Sequence, residues 1–209
     1  MMAMNKRKDN QPASEAKTDA SRPTEQAVIT SNINSVGDSA RRAEHRCQAI
    51  LATHAANTNS LEVTRPTVTN CPDGGHDLGV TGETEEVKEL VSTLTGKPLE
   101  ELNFLNKSAK DGKLKVRIDV KNGKTVSGDT IDKHTSDSNR SPECQINLLV
   151  LTNENVKVTP EAQKRLKKQQ ELFKAEGTLI DIAAPDELKR VASMSMPLAE
   201  SKDDEEVSS

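Results

Sequence analysis

The chain has 209 residues, of which 33 % are hydrophobic and 30 % charged; its formal net charge is −4, it contains no Trp or Tyr, and Phe104 and Phe173 are its only phenylalanines. This composition excludes a large aromatic core, so any core is built from Leu, Ile and Val, and we expect the folded portion to be roughly half the chain. The mild acidity excludes a global electrostatic pull toward nucleic acid or anionic lipid, leaving local charge to decide partners.

Residues 1–24 are polar and carry Pro12 and Pro23; they read as a disordered tail. Met1 to Asn10 holds no apolar signal-peptide stretch, and no run approaches the ~18 apolar residues of a membrane span. Cys47, Cys71 and Cys144 are odd in number and widely spaced, which fits free thiols better than a disulfide framework. The expected location is therefore cytoplasmic.

Over 25–62 the residues Ile29, Ile33, Val36, Ala40, Ala43, Cys47, Ile50, His54 and Leu61 recur at alternating spacings of four and three. That is a heptad register, and it predicts a helical or coiled-coil segment. Ile29, Ile33, Val36, Cys47 and Ile50 are the expected oligomerisation residues if two chains pair. Asp38 or Ser39 equally serves as an N-cap for a shorter helix over 40–56, folding alone or on its own domain. Residues 63–82, broken by Pro66, Pro72, Gly74, Gly75, Gly79 and Gly82, read as a flexible linker.

A small α+β domain is expected over 83–196, with a small mixed sheet and packed helices. Val87, Leu90, Val91 and Leu94 fall at i, i+3, i+4 and i+7 ahead of Gly96, the pattern of an amphipathic helix with a glycine stop. Pro98 opens a second short helix. Leu114, Val116, Ile118 and Val120 alternate with Lys115, Arg117 and Asp119, and Asn122-Gly123 follows; this predicts a hairpin whose outer face is basic and solvated. The segment 127–142, rich in Asp, Ser, Asn and Thr, reads as a long loop or flap. Five of the six residues from Ile146 to Leu151 are large aliphatics, as a strand covered on both faces requires. Thr159-Pro160-Glu161 is a strong helix start, and 178–182 reads as a strand parallel to 146–151, closing a strand-helix-strand crossover. Residues 197–209, ending in Asp203-Asp204-Glu205-Glu206, form an expected acidic disordered tail.

No catalytic signature, metal set or cofactor motif stands out. The glycines at 74–82 follow no strand and lack the closing Lys and Ser or Thr of a phosphate loop. Cys71 and His76 make one pair where a closed zinc site needs two, and His134 beside Asp132 is the single pair worth testing for acid-base chemistry. The basic helix after Thr159 is the most suggestive surface: Lys164, Arg165, Lys167, Lys168 and Lys174 surround a narrow stripe of Ala162, Leu166 and Phe173. The preferred expectation is thus a non-enzymatic adaptor or regulatory protein that binds an acidic protein surface through this helix, with a possible homo-oligomer through 29–61 and no membrane. A nucleic-acid accessory protein and a small enzyme with its site under 127–142 are the alternatives.

Overall fold

The computed structural model describes residues 40–58, 60–65 and 76–195. In chain order the elements are α1 (Ala40–Thr58), β1 (Leu61–Thr64), β2 (Leu78–Glu83), α2 (Thr84–Thr95), a 3-10 helix (Leu99–Lys107), β3 (Lys113–Lys121), β4 (Thr125–Val126), α3 (Gly128–Asn139), β5 (Ile146–Leu151), β6 (Lys157–Val158), α4 (Pro160–Ala175), β7 (Leu179–Ala183) and α5 (Pro185–Met194). The fold is mixed α+β. Five strands form one sheet in the order β1-β2-β3-β5-β7, antiparallel across β1/β2 and β2/β3 and parallel across β3/β5 and β5/β7. Only β2 runs against the rest. β4 and β6 make a separate two-stranded parallel ribbon.

All six residues of β5 are buried, because apolar layers meet it from both sides. Ile146, Leu148 and Val150 join a core with α1, α2, the 3-10 helix and α5, while Leu149 and Leu151 join a second with Ile131 of α3 and Ala162 of α4. The molecule is therefore three layers, helices on both faces of the sheet. β5, α4 and β7 form the expected strand-helix-strand unit with its two strands parallel. α4 starts as its residues dictate, with the Thr159 hydroxyl accepting from Ala162 N–H at 3.2 Å and Pro160 opening the first turn. α2 buries Val87, Leu90, Val91 and Leu94 and stops at Gly96, whose φ of 67° is the left-handed conformation glycine adopts without cost.

Four expectations are corrected. The Asn122-Gly123 turn closes no hairpin: β3 pairs with β2 and β5, and β4 pairs with β6. The supposed solvated face of β3 is not all solvated, because α3 lies over it and leaves Arg117 fully buried. Residues 127–142 are no flap. Ser127 caps α3 by accepting from Thr130 N–H while the Thr130 hydroxyl accepts from Ser127 N–H, and Ile131, His134, Thr135 and Ser138 pack inward. Of the expected linker 63–82, residues 78–82 belong to the interior strand β2 and residues 63–64 to β1 beside it.

The described half of the heptad register packs within the chain. Ala43, Cys47 and Ile50, with Leu51 and Ala55 beside them, are buried on α1, and Ala43, Cys47, Ile50 and Leu51 belong to the core under α2 and α5. Asn57 Nδ2 donates to Ser195 O at 2.7 Å, tying the end of α1 to the end of α5. The folded unit thus begins by residue 40, well ahead of the expected boundary at 83. Ile29, Ile33 and Val36, the tails 1–24 and 197–209, and Cys71 lie outside the described residues. No helix among the described residues is long and apolar enough to cross a membrane.

Candidate functional site

The alternation of β3 puts Leu114, Val116, Ile118 and Val120 into one core and aims Lys115, Arg117, Asp119 and Lys121 at the opposite face. α3 covers the middle of that face. Arg117 Nη2 donates to Asp119 Oδ1 at 2.9 Å, Arg117 Nη1 to Ser138 Oγ at 3.4 Å, and His134 Nδ1 lies 2.7 Å from Asp119 Oδ2. A buried guanidinium is tolerable only when paired, and Asp119 supplies the countercharge. Nδ1 facing a carboxylate oxygen donates its proton to it. Nε2 is buried and has no hydrogen-bond partner among the described residues, as do Arg117 Nε and, on the strand alongside, Asn147 Oδ1.

A second carboxylate comes from the residue just before β2. Asp77 stays attached to β3: its N–H donates to Ile118 O at 3.0 Å, and its Oδ2 accepts from Val120 N–H at 2.6 Å. With Leu78 opposite Ile118 in the register, Asp77 comes to lie beside Asp119. Burial pushes the Asp77 carboxyl above its ordinary value; the Val120 hydrogen bond opposes this, Glu44 and Asp119 add to it, and Lys121 counters them. Like charges side by side on a sheet are destabilising, so this arrangement is held by the fold around it rather than by its own energetics.

These groups open into a cleft of about 870 Å³ at the end of β3, between the start of α1 and the exposed side of α3. Its lining includes Glu44, Asp77, Asp119, Lys121, Ser127, Lys133 and His134. Among the described residues no three His, Cys, Asp or Glu side chains form a ready-made metal cage. The donor set instead suits a hard, hydrated cation such as Mg²⁺, which takes one or two carboxylates and completes its shell with water and phosphate oxygens. Lys121, two residues after Asp119 on the same face, adds a positive charge where an anionic ligand would meet the carboxylates.

The residues singled out by sequence fall elsewhere. Lys164, Lys167, Lys168 and Lys174 are exposed on α4 and do not line the cleft. Arg165 is committed to Asp129, at 3.6 Å, and to Asp132 and Glu161, while Lys174 Nζ sits 5.5 Å from the centre of the Phe104 ring. Cys47 and Ile50 are in the core. His134 pairs with Asp119 rather than Asp132. Glu44, Asp77, Asp119 and Lys121 escaped the sequence reading; the one available signal was an Asp-x-Lys at the end of an alternating strand, a pattern too common to carry weight. Comparisons with protein-family models, curated proteins and solved structures find no match.

Proposed function

We propose that the cleft holds a divalent cation on Asp77 and Asp119 and that the protein hydrolyses phosphodiesters there. The observation that carries this reading is the pairing of a carboxylate on β3 with one from the residue just before β2, both lining an open cleft, with Lys121 beside them. Burial, Glu44 and Asp119 all disfavour ionised Asp77, and a cation held by Asp77 and Asp119 would relieve that penalty. When bound, such a cation would supply Lewis-acid chemistry to a phosphoryl oxygen and to water. Arg117 and His134 fix the orientation of Asp119, and the Lys121 ammonium offsets charge that builds on the phosphoryl oxygens. Water oxygen would bond to phosphorus and give up a proton to solvent as the leaving P–O bond breaks, and the departing oxygen would take a proton from solvent.

This is the third of the readings the sequence left open, an enzyme whose site lies under residues 127–142, and it differs from the adaptor expectation. The adaptor reading has exposed lysines on α4 in its favour, but Arg165 and Lys174 are already engaged within the chain. The test is turnover of bis(p-nitrophenyl) phosphate and of a labelled oligonucleotide duplex with Mg²⁺ or Mn²⁺. Cation-dependent product release that Asp77→Asn and Asp119→Asn abolish, while Lys189→Gln keeps it, supports the reading. Folded wild-type protein with no turnover of either substrate across both cations contradicts it.

A further inference from the structure

Lysine placement around the cleft suggests what the cleft receives. Lys121 lines it, and Lys124 follows three residues later, past Asn122 and Gly123. Lys157 N–H donates to Lys124 O at 3.0 Å, so the β4/β6 ribbon brings a third lysine alongside. Two residues beyond β6 the chain enters α4, where Lys164, Lys167 and Lys168 share one side at i, i+3 and i+4, a spacing of about 5 to 6 Å between neighbours. All six side chains are exposed, and none forms an ion pair among the described residues. Of the acidic groups on the adjoining helices, Asp129, Asp132 and Glu161 are gathered round the Arg165 guanidinium and Asp137 lies 3.5 Å from Arg140 Nη1, while Glu171 is exposed.

We infer that these six lysines form a phosphate-binding track along which double-stranded nucleic acid lies as it enters the cleft. This rests on the hydrolytic reading of the cleft. Two features of the track choose the partner. A protein partner needs an apolar anchor at the centre of its footprint, and among the described residues the exposed large hydrophobics are Leu99, Leu172 and Met194, none of them on the β4/β6 ribbon or the first half of α4. A single strand is ordinarily held by stacking on aromatic rings, whereas Phe173 is buried and Phe104 is half-buried under Lys174. A duplex, its bases already stacked on each other, needs only cations spaced along its backbone.

The experiment is fluorescence anisotropy of the full chain with a labelled 30-base-pair DNA duplex, in EDTA so that binding is read without turnover. Lys124→Gln/Lys157→Gln/Lys164→Gln is the test variant and Lys189→Gln the control, both checked for folding by circular dichroism. Log affinity is expected to fall linearly with log salt concentration, with a slope that shrinks by about 0.9 for each lysine removed, some 2 to 3 for the triple variant. The triple variant weakens binding at least tenfold at low salt and the control does not. Unchanged affinity in the folded triple variant overturns the proposal, as does tighter binding of a single-stranded oligonucleotide, or equal competition by polyglutamate, which marks an acidic protein partner instead. Lysine-dependent duplex binding without turnover leaves the track standing and removes the hydrolytic reading, so the two fail separately.

Discussion

Replacing Arg117 with Met tests whether the charged cluster under α3 is what fixes Asp119 at the cleft. Arg117 is 0 % exposed, with Nη2 at 2.9 Å from Asp119 Oδ1. Met fills a similar elongated space without charge, so the loss is chiefly electrostatic: Asp119 keeps only His134. Breaking a buried pair costs roughly 3–5 kcal/mol, and because the Asp119 side chain is 18 % exposed we take the low end, about 3 kcal/mol. With a urea slope near 2 kcal/mol/M, the unfolding midpoint falls by about 1.5 M. The chain has no Trp or Tyr, so unfolding is followed by far-ultraviolet circular dichroism. Adding Asp119→Leu to Arg117→Met removes both charges and is expected to recover at least half of the lost stability, while leaving the cleft unable to hold a cation. A single variant that loses less than about 1 kcal/mol, the range of an exposed ion pair, refutes the reasoning; so does a double variant no more stable than the single.

Leu148→Ala, at a fully buried position of β5, is expected to cost about 2–5 kcal/mol in the same urea assay; a loss below ~1 kcal/mol contradicts the two-sided core. Gly128→Ala and Gly82→Ala should differ. A Cβ at Gly128 meets Arg165 Nε at 2.6 Å, the far end of a side chain that can swing away, whereas at Gly82 it meets Ser60 O at 2.7 Å and forces β1 off β2, so the second is the more destabilising; the reverse order is the failing result. Burial and Asp77 push the Cys47 thiol up to about 12, and native protein should neither react at Cys47 with a thiol reagent nor form a Cys47-linked dimer under mild oxidant; a dimer abolished by Cys47→Ser contradicts the position of α1. Asp77 and Asp181 are both raised chiefly by burial, so their contribution to stability is full below the ordinary carboxyl range near pH ~4 and is lost as pH rises through their folded values. Asp181→Asn should flatten that decline in thermal midpoint measured from pH 4 upward, and an unchanged profile counts against it.

What the sequence made legible was whatever one element decides for itself. β5 declares itself by its run of aliphatics, α4 by Thr159 and Pro160, and α2 by its apolar spacing and Gly96. α3 stayed hidden because Ile131 is its single large apolar side chain; the helix is held by the Ser127 cap and by polar residues packed against β3. β2 resembled a linker because of Gly79 and Gly82, yet both are small where β1 comes close: a Cβ at Gly79 would meet Thr64 Oγ1 at 2.8 Å. The site was hidden for a related reason. Asp77 and Asp119 lie about forty residues apart in sequence, and only the β2/β3 register sets them side by side. Arg117 reads as solvated until α3 is laid over it, and His134 pairs on paper with Asp132 until that same packing turns it to Asp119; this is tertiary information that neither periodicity nor spacing carries.

Calorimetric titration of the full chain with Mn²⁺ near neutral pH tests the cation-binding cleft most directly, with Asp77→Asn and Asp119→Asn as partners and their folding checked by circular dichroism. Binding to the native state alone should also raise the melting temperature with cation concentration. The account predicts saturable heat in the wild type that disappears in both variants, together with a cation-dependent melting shift in the wild type alone. Saturable binding of equal strength in all three proteins, or no binding to the folded wild type, contradicts it.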